Sequence, residues 1–153
     1  MKYNFDFPIY DEITENLDNI AALYIRYSEL ELAKESNDIK VQYEALKQYC
    51  IDNAVSNPVI FIDDNYMSAD ANRPAYQSIL KQLKSGKIKK AIFYSADRIG
   101  RTPSVIINFF KDCQKYNFNF NVIKENFDSQ DRKALDTILS AITNFQNLPK
   151  FGY

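Results

Sequence analysis

A serine and an arginine lie two residues apart where the first strongly apolar run of the chain ends. Residues 20–25 (IAALYI) are typical of a buried strand, and the residues that follow read RYSE. On an extended chain, Arg26 and Ser28 point to the same side. A hydroxyl beside a guanidinium suits attack on a phosphodiester better than attack on an amide, because the planar arginine fork binds two phosphate oxygens and keeps its charge. For Ser28 taken alone, a turn or cap role is the competing interpretation.

A second polar cluster follows the apolar run 91–94 and Ser95, and it reads ADRIGR. Arg98 and Arg101 are three residues apart, so their side chains converge if this segment turns helically. Asp97 beside them allows a second interpretation, a surface ion pair that stabilises the fold by at most about 1 kcal/mol. With Arg73, which precedes a predicted helix in SADANRPAY, four arginines can surround the one serine. Such a set predicts phosphoryl transfer without a metal, since positive side chains stabilise the developing charge.

These clusters need a scaffold that brings the ends of distant strands together, and the hydrophobic pattern predicts one. Apolar runs alternate with stripes at helical spacing, which predicts an α/β fold with a mostly parallel central sheet of four or five strands flanked by helices. In such sheets ligands bind beyond the carboxyl ends of the strands, where both polar clusters lie. The predicted strands are 20–25, 59–62, 90–94 and 118–123, the last a candidate edge strand; the predicted helices are 39–53, one from Pro74 to the glycine at 86, one capped by Thr102, and 131–147.

Composition removes several classes of function. A net charge of -1 and a pI near 5.5 give no overall basic surface, so any nucleic-acid binding must come from a local cluster. The chain has no histidine, which excludes imidazole acid–base chemistry. Cys50 and Cys113 lie far apart on apolar helix faces, which argues against zinc and predicts reduced, buried thiols. No glycine-rich loop follows the first strand, as a dinucleotide or P-loop site would require. We find no pattern of a signal peptide or a membrane span, and expect a cytoplasmic protein.

From about residue 20 to residue 147 the chain resembles the catalytic domain of the serine site-specific recombinases, the resolvase and invertase group that includes the large serine integrases. The matching pieces follow the family's order and spacing, and they are unspecific singly but strong together. YIRYS resembles the Y-x-R-V-S strand and nucleophile turn, and FYSADRIGR resembles V-x-K-L-D-R-L-x-R. IKVQYEALKQYC, SADANRPAYQSIL and TILSAI resemble the first helix, the S-G-x-x-x-x-R-P segment and the start of the long C-terminal helix.

The resemblance implies site-specific DNA recombination, in which strands are cleaved and rejoined through a 5′-phosphoserine intermediate. It implies that Ser28 attacks the DNA phosphate. Arg26, Arg98 and Arg101 would hold that phosphate and stabilise the charge of the transition state. Asp97 would orient the arginines or take part in proton transfer.

Two further residues enter through the same resemblance. It implies that Arg73 and Gln42 are DNA-phosphate-binding residues, and that Gln42 also positions the nucleophile region. It implies no metal, ATP or other cofactor, because the phosphoserine bond conserves the energy needed for rejoining. We expect Ser28 and the four arginines to face one shared, solvent-open pocket.

The end of the chain departs from the family pattern. Gln146 and Asn147 stand where family members usually have a Glu-Arg pair in a long continuing helix, and Pro149 predicts a break. With Gly152, Pro149 predicts a natural terminus without a DNA-binding domain. The expected organisation is an N-terminal extension partly packed by Phe5, Phe7 and Tyr10 (residues 1–19), a resolvase-like catalytic domain (20–147) and a short tail (148–153).

These departures set the expected partners and leave two classes of function open. The chain would bind DNA weakly alone, and a separate chain would supply a DNA-binding domain. It would be a monomer or weak homodimer, forming a tetramer only when assembled on DNA. The retained serine and arginines favour an active recombinase, whereas the acidic pI and the missing DNA-binding domain favour a catalytically silent, resolvase-fold regulator or protein-interaction module.

Overall fold

Strands and helices alternate through the computed structural model, which describes residues 3–10, 18–31, 37–66 and 72–146, with side chains as far as residue 141. Every predicted strand and helix is present, and the first two strands extend beyond their predicted carboxyl ends. The predicted residue 147 and the tail 148–153 lie outside the described residues. The strands are β1 (Ala21–Tyr27), β2 (Pro58–Asp64), β3 (Lys90–Phe93), β4 (Asn119–Val122) and β5 (Phe127–Asp128); the helices are α1 (Ile39–Asp52), α2 (Pro74–Lys84), α3 (Ala96–Ile99), α4 (Pro103–Tyr116) and α5 (Arg132–Gln146).

The five strands form one sheet in the order β2-β1-β3-β4-β5. The first four are parallel, and β5 pairs antiparallel with β4 through Asn121 with Asp128 and Val122 with Phe127. This confirms the predicted α/β class with a mostly parallel central sheet of four or five strands, and the described sheet has five. The prediction of β4 as an edge strand is wrong, because β5 covers it. A two-residue strand is too short to produce a recognisable hydrophobic period.

Helices cover both faces of the sheet, which explains why its strands are continuous apolar runs. On one face, Leu23 and Ile25 of β1 pack with Tyr43, Leu46 and Cys50 of α1. On the other face, the alternate β1 residues contribute to a larger cluster built with α2, α4 and α5. Central aromatic members of that cluster are Tyr24, Phe93, Phe109 and Phe120.

The start of α2 is fixed by a residue of β2, which matters for the site below. Pro74 is the first helical residue, as predicted, but Arg73 before it makes no side-chain capping bond. Asp63 instead accepts the backbone N–H groups of Ala75 at 2.8 Å and Tyr76 at 3.0 Å. A carboxylate at a helix N-terminus accepts otherwise unpaired N–H groups and interacts favourably with the positive end of the helix dipole. Arg73 is therefore anchored to the carboxyl end of β2.

The described residues before β1 pack on the sheet and on α1, and their aromatic side chains make part of this contact. Phe5 stacks on Tyr43 at 4.3 Å, and Tyr10 stacks on Phe61 at 4.5 Å between ring centroids. Ile9 forms a parallel bridge with Ile60, so residues 8–9 cover the outer edge of β2. Covering a sheet edge removes a row of free backbone groups that would otherwise invite strand pairing.

The two cysteines are free and buried, as predicted, and burial raises the pKa of Cys50 to about 11. Within the described ranges, no helix has the length and apolar character needed to cross a membrane.

Candidate active site at the carboxyl end of β1

The two polar clusters of the sequence meet at the carboxyl end of β1, which extends beyond the last residue pair with its neighbour β3. β1 pairs with β3 only as far as Tyr24, opposite Phe93, but pairs with β2 as far as Tyr27. The backbone of Arg26 therefore projects past the last β3 pair, towards the short helix α3 that follows β3. Arg98 of α3 fills this space, and its Nη1 donates to the carbonyl of Arg26 at 2.7 Å.

One carboxylate joins three of the predicted arginines. Glu31 lies in a 3₁₀ turn of residues 29–31, and its side chain is only 3% exposed. Its Oε1 accepts Arg26 Nη1 at 3.0 Å, and its Oε2 accepts Arg101 Nη2 at 2.6 Å and Arg98 Nη2 at 3.5 Å. We call Arg26, Arg98, Arg101 and Glu31 the arginine–glutamate cluster.

The opposite charges of Glu31 and the arginines stabilise one another in a site that is largely shielded from water. Burial by itself would raise the pKa of Glu31, but the hydrogen bond from Arg26 and the charges of Arg26, Arg101 and Arg98 outweigh it, so the pKa is lowered. Burial is the main reason that the pKa of Arg26 is lowered, with a contribution from the charge of Arg98. Glu31 is thus ionised at neutral pH. Removing one member of such a group leaves an uncompensated buried charge, which is strongly destabilising.

Asp97 holds the other side of the Arg98 guanidinium. Its Oδ2 accepts Arg98 Nη2 at 3.1 Å, its Oδ1 accepts Arg98 Nε at 3.3 Å, and the Ser95 hydroxyl also donates to Oδ1. Burial acts to raise the pKa of Asp97, but the bonds from Arg98 and Ser95 dominate and lower it to about 2. Asp97 thus forms the ion pair with an arginine that was the competing interpretation, yet that arginine is 0% exposed rather than on the surface.

Arg73 bonds the backbone of the α3 turn, whereas the other three arginines bond Glu31. Its two terminal nitrogens donate to the carbonyls of Arg98 at 2.8 Å and Ile99 at 2.7 Å. Its guanidinium stacks over the Tyr76 ring, 3.9 Å from the centroid. These contacts hold the α3 turn, and with it Arg98, against the start of α2.

Ser28 lies directly after β1 and is held through its backbone. The side-chain amide of Asn37 accepts the Ser28 N–H and donates to the Ser28 carbonyl, both at 2.7 Å. The Ser28 Oγ accepts the N–H of Leu30 at 3.2 Å, so it also caps the 3₁₀ turn, as the competing interpretation proposed.

The side-chain amide of Gln42, in α1, clamps the backbone of Arg26 with two hydrogen bonds, as Asn37 does for Ser28. Its Oε1 accepts the Arg26 N–H at 3.2 Å, and its Nε2 donates to the Arg26 carbonyl at 2.8 Å. The amide is completely buried. Both polar atoms of the Gln42 amide are therefore bonded to the Arg26 backbone inside the protein.

The expectation of a solvent-open pocket is wrong. Ser28 is 2% exposed, Arg26 and Arg98 are 0% exposed and Arg73 is 3% exposed; of the four arginines, only Arg101 reaches solvent substantially. The physical reason is that Glu31, Asp97 and backbone carbonyls accept most of the guanidinium N–H groups internally, which allows these side chains to be buried without an external anion.

Sequence reasoning missed Glu31 and Asn37. Glu31 belongs to an E-L-E stretch that resembles any exposed turn, and Asn37 stands in a polar stretch before a helix. Asn37 bonds Ser28 only nine residues away, but no regular helix or strand period links the two. Glu31 bonds the nearby Arg26 and also arginines on a distant segment, which no local pattern records. Glu31 and Arg101, for example, are separated by 70 residues.

Comparisons with known proteins agree with this architecture. The family model for the resolvase N-terminal domain matches residues 21–148. The N-terminal catalytic domain of TP901-1 integrase is 25% identical with a TM-score of 0.67, over 82% of this chain and 95% of that one. A resolvase family site-specific recombinase from Streptococcus pneumoniae is 19% identical with a TM-score of 0.66, over 82% and 86% of the two chains. An uncharacterised immunity region protein 3 of Bacillus phage phi105 is 33% identical over 72 residues, which cover 47% of this chain and 88% of that protein.

Proposed function

The chain belongs to the resolvase N-terminal domain family, and we propose that it cleaves and rejoins DNA strands in site-specific recombination, with Ser28 as nucleophile. One observation carries this proposal. Ser28 follows β1 two residues after Arg26, and Arg26 shares the Glu31 carboxylate with Arg98 and Arg101. A serine hydroxyl close in sequence to one of three guanidinium groups that converge on a single carboxylate fits the needs of attack on a phosphodiester.

In the proposed reaction, the Ser28 Oγ attacks the phosphorus of a DNA phosphodiester. A bond forms between Oγ and phosphorus, and the bond from phosphorus to the 3′ oxygen breaks. The serine hydroxyl loses a proton, and the leaving 3′ oxygen gains one. A 3′ hydroxyl then attacks the 5′-phosphoserine, which restores the phosphodiester and the free serine without net consumption of energy.

The charged residues take separate parts in this scheme. Arg26, Arg98 and Arg101 bind the non-bridging phosphate oxygens and stabilise the charge that develops on them. Asp97 orients the Arg98 guanidinium, since a carboxyl whose pKa is about 2 is a poor proton acceptor at neutral pH. Arg73 and Gln42 act from behind, by holding the α3 turn and the β1 backbone.

DNA is the partner that this chemistry requires. The net charge of -1 supports weak binding by this chain alone, so a separate chain with a DNA-binding domain would bring it to its site. A monomer or weak homodimer in solution, with a tetramer on DNA, fits the same proposal.

The test is a covalent trap. The protein, with any DNA-binding partner, is incubated with supercoiled DNA that carries its native flanking sequence, quenched with detergent and examined for protein linked to a DNA 5′ end. Ser28→Ala should abolish the adduct, whereas Ser56→Ala, at an exposed serine just before the amino end of β2, should not. An equal yield of adduct from Ser28→Ala would disprove the nucleophile assignment.

The burial of Ser28 supports a second candidate function. A nucleophile that is 2% exposed cannot meet DNA without a local rearrangement. If this arrangement is permanent, the chain acts as a catalytically silent, resolvase-fold regulator or protein-interaction module. Failure to trap any adduct, with every partner and DNA supplied, would favour this second function.

A further inference from the structure

Glu31 has the charge and shape of the group that the proposed reaction would bind. A carboxylate carries one negative charge on two terminal oxygens, and a phosphodiester carries one negative charge on two non-bridging oxygens. Both accept the planar arginine fork. In the arginine–glutamate cluster, guanidinium groups from two separate segments converge on the two oxygens of Glu31, at distances between 2.6 and 3.5 Å.

We propose that Glu31 is an internal competitor of the DNA phosphate, occupying its place between Arg26, Arg98 and Arg101 until DNA displaces it. The inference rests on the proposed function for the identity of the natural ligand. The competition itself concerns only an anion and three arginines, and can be measured without DNA.

The balance of charges and donors supports an exchangeable anion at this position. Arg26, Arg98 and Arg101 share two carboxylates, Glu31 and Asp97, so the group retains one positive charge in excess. The buried Arg26 Nε has no hydrogen-bond partner, so one donor of the cluster is unused. Replacing Glu31 by a phosphodiester oxygen pair leaves the local charge unchanged and offers the orphaned donor a new acceptor.

The same turn couples this exchange to the nucleophile. The Glu31 N–H donates to the Ser28 carbonyl at 3.1 Å, and the Leu30 N–H donates to Ser28 Oγ at 3.2 Å. Withdrawal of Glu31 from the arginines therefore disturbs the turn that holds the serine hydroxyl. Leu30, the middle residue of that turn, is 82% exposed and offers little packing to resist the movement. Phosphate entry and release of the Ser28 hydroxyl become one event.

The test uses sulfate as the probe and thermal unfolding as the measurement. Wild type, Glu31→Gln and Glu29→Gln are titrated with sodium sulfate, and with sodium chloride at matched ionic strength to remove general salt effects. Glu29 is the matched control because it lies in the same turn, is exposed, and undergoes the same chemical change.

We expect Glu31→Gln to melt at a lower temperature than wild type without sulfate, and to regain stability as sulfate binds. Its apparent sulfate affinity should exceed that of wild type by about tenfold or more, since a charge-assisted competitor has been removed. Glu29→Gln should follow wild type. Adding Arg101→Ala to Glu31→Gln should abolish the gain, which places the anion in the cluster.

Equal sulfate affinities of wild type and Glu31→Gln would overturn the inference. So would a Glu31→Gln protein that is unfolded both with and without sulfate, because Glu31 would then be a structural partner that no anion replaces. A variant that folds only when sulfate is present would support it.

The two proposals can fail separately. If sulfate binds Glu31→Gln as expected but no Ser28 adduct is ever trapped, the anion competition stands and the recombinase function fails. If wild type forms the adduct while Glu31→Gln gains no sulfate affinity, the recombinase function stands and Glu31 is not a competitor.

Discussion

Arg73 Nη1 donates to the backbone carbonyl of Arg98 at 2.8 Å, which makes one buried arginine the support of another. The second terminal nitrogen of Arg73 donates to the Ile99 carbonyl at 2.7 Å, and Tyr76 stacks against the guanidinium. The planar fork bonds both carbonyls at once, a geometry that a single ammonium group does not reproduce.

Arg73→Lys should therefore lower the free energy of unfolding by about 1.5–3 kcal/mol, the usual contribution of a buried charge-assisted bond. Urea denaturation of the wild type and the variant measures this difference in the free energy of unfolding. Arg132→Lys at the start of α5 should cost less, because the bonds from the Arg132 guanidinium to Asn117 and Asn119 are exposed to water. Equal effects of the two changes would contradict a special role for the Arg73 fork.

Gln42 should stabilise the carboxyl end of β1 about as much as Arg73 stabilises the α3 turn. Gln42→Met keeps most of the side-chain volume but leaves the Arg26 N–H without its partner and removes one of the two donors to its carbonyl. We expect a loss of about 1–3 kcal/mol, measured by chemical denaturation. Gln48→Met, on the exposed side of the same helix, serves as control and should cost little. A loss no larger than that of the control would show that water replaces the clamp.

Acid should destabilise the site through Asp97. The pKa of Asp97 in the folded protein is about 2, below the roughly 3.9 of an unfolded aspartate. A lowered folded pKa contributes stability that is complete above the unfolded value and is lost as pH falls from about 4 towards about 2. Asp97→Asn should be less stable at pH 7 and show a shallower decline over this window, in melts recorded at stepped pH. If the pH profile of the variant matches that of wild type, Asp97 does not carry this linkage.

Binding of duplex DNA by the chain alone should be weak and sensitive to salt. If Arg26, Arg98 and Arg101 supply the phosphate contacts, the slope of log affinity against log salt should be about -3 or shallower. Fluorescence anisotropy of a labelled duplex measures both quantities. Tight binding that ignores salt would reveal another DNA-binding surface.

Loss of the Arg98 guanidinium should reduce formation of the Ser28–DNA adduct in a protein that still folds. Arg98→Ala should reduce formation of the Ser28 adduct by about 10²–10³-fold, the usual cost of removing one preorganised charge donor. Circular dichroism of the same sample controls for folding, since Arg98 is also buried against Glu31 and Asp97. A folded Arg98→Ala protein with an undiminished yield would remove Arg98 from the proposed active site.

The order of the elements and the edge of the sheet that carries the polar residues followed from the sequence alone. Apolar runs such as residues 20–25 specify buried strands because both faces of the sheet are covered. In a parallel sheet the carboxyl ends of the strands share one edge, so Arg26, near the end of β1, and Arg98, after β3, could be placed together from the sequence.

Only the tertiary structure decided which charges pair and how deeply they lie. Glu31 joins Arg26 from its own segment to Arg98 and Arg101 from another, and no local pattern records that choice. An ion pair depends on distance and on exclusion of water, both of which arise when segments far apart in the chain pack together. For that reason the sequence predicted an open arginine pocket, whereas the folded chain closes it with its own carboxylate.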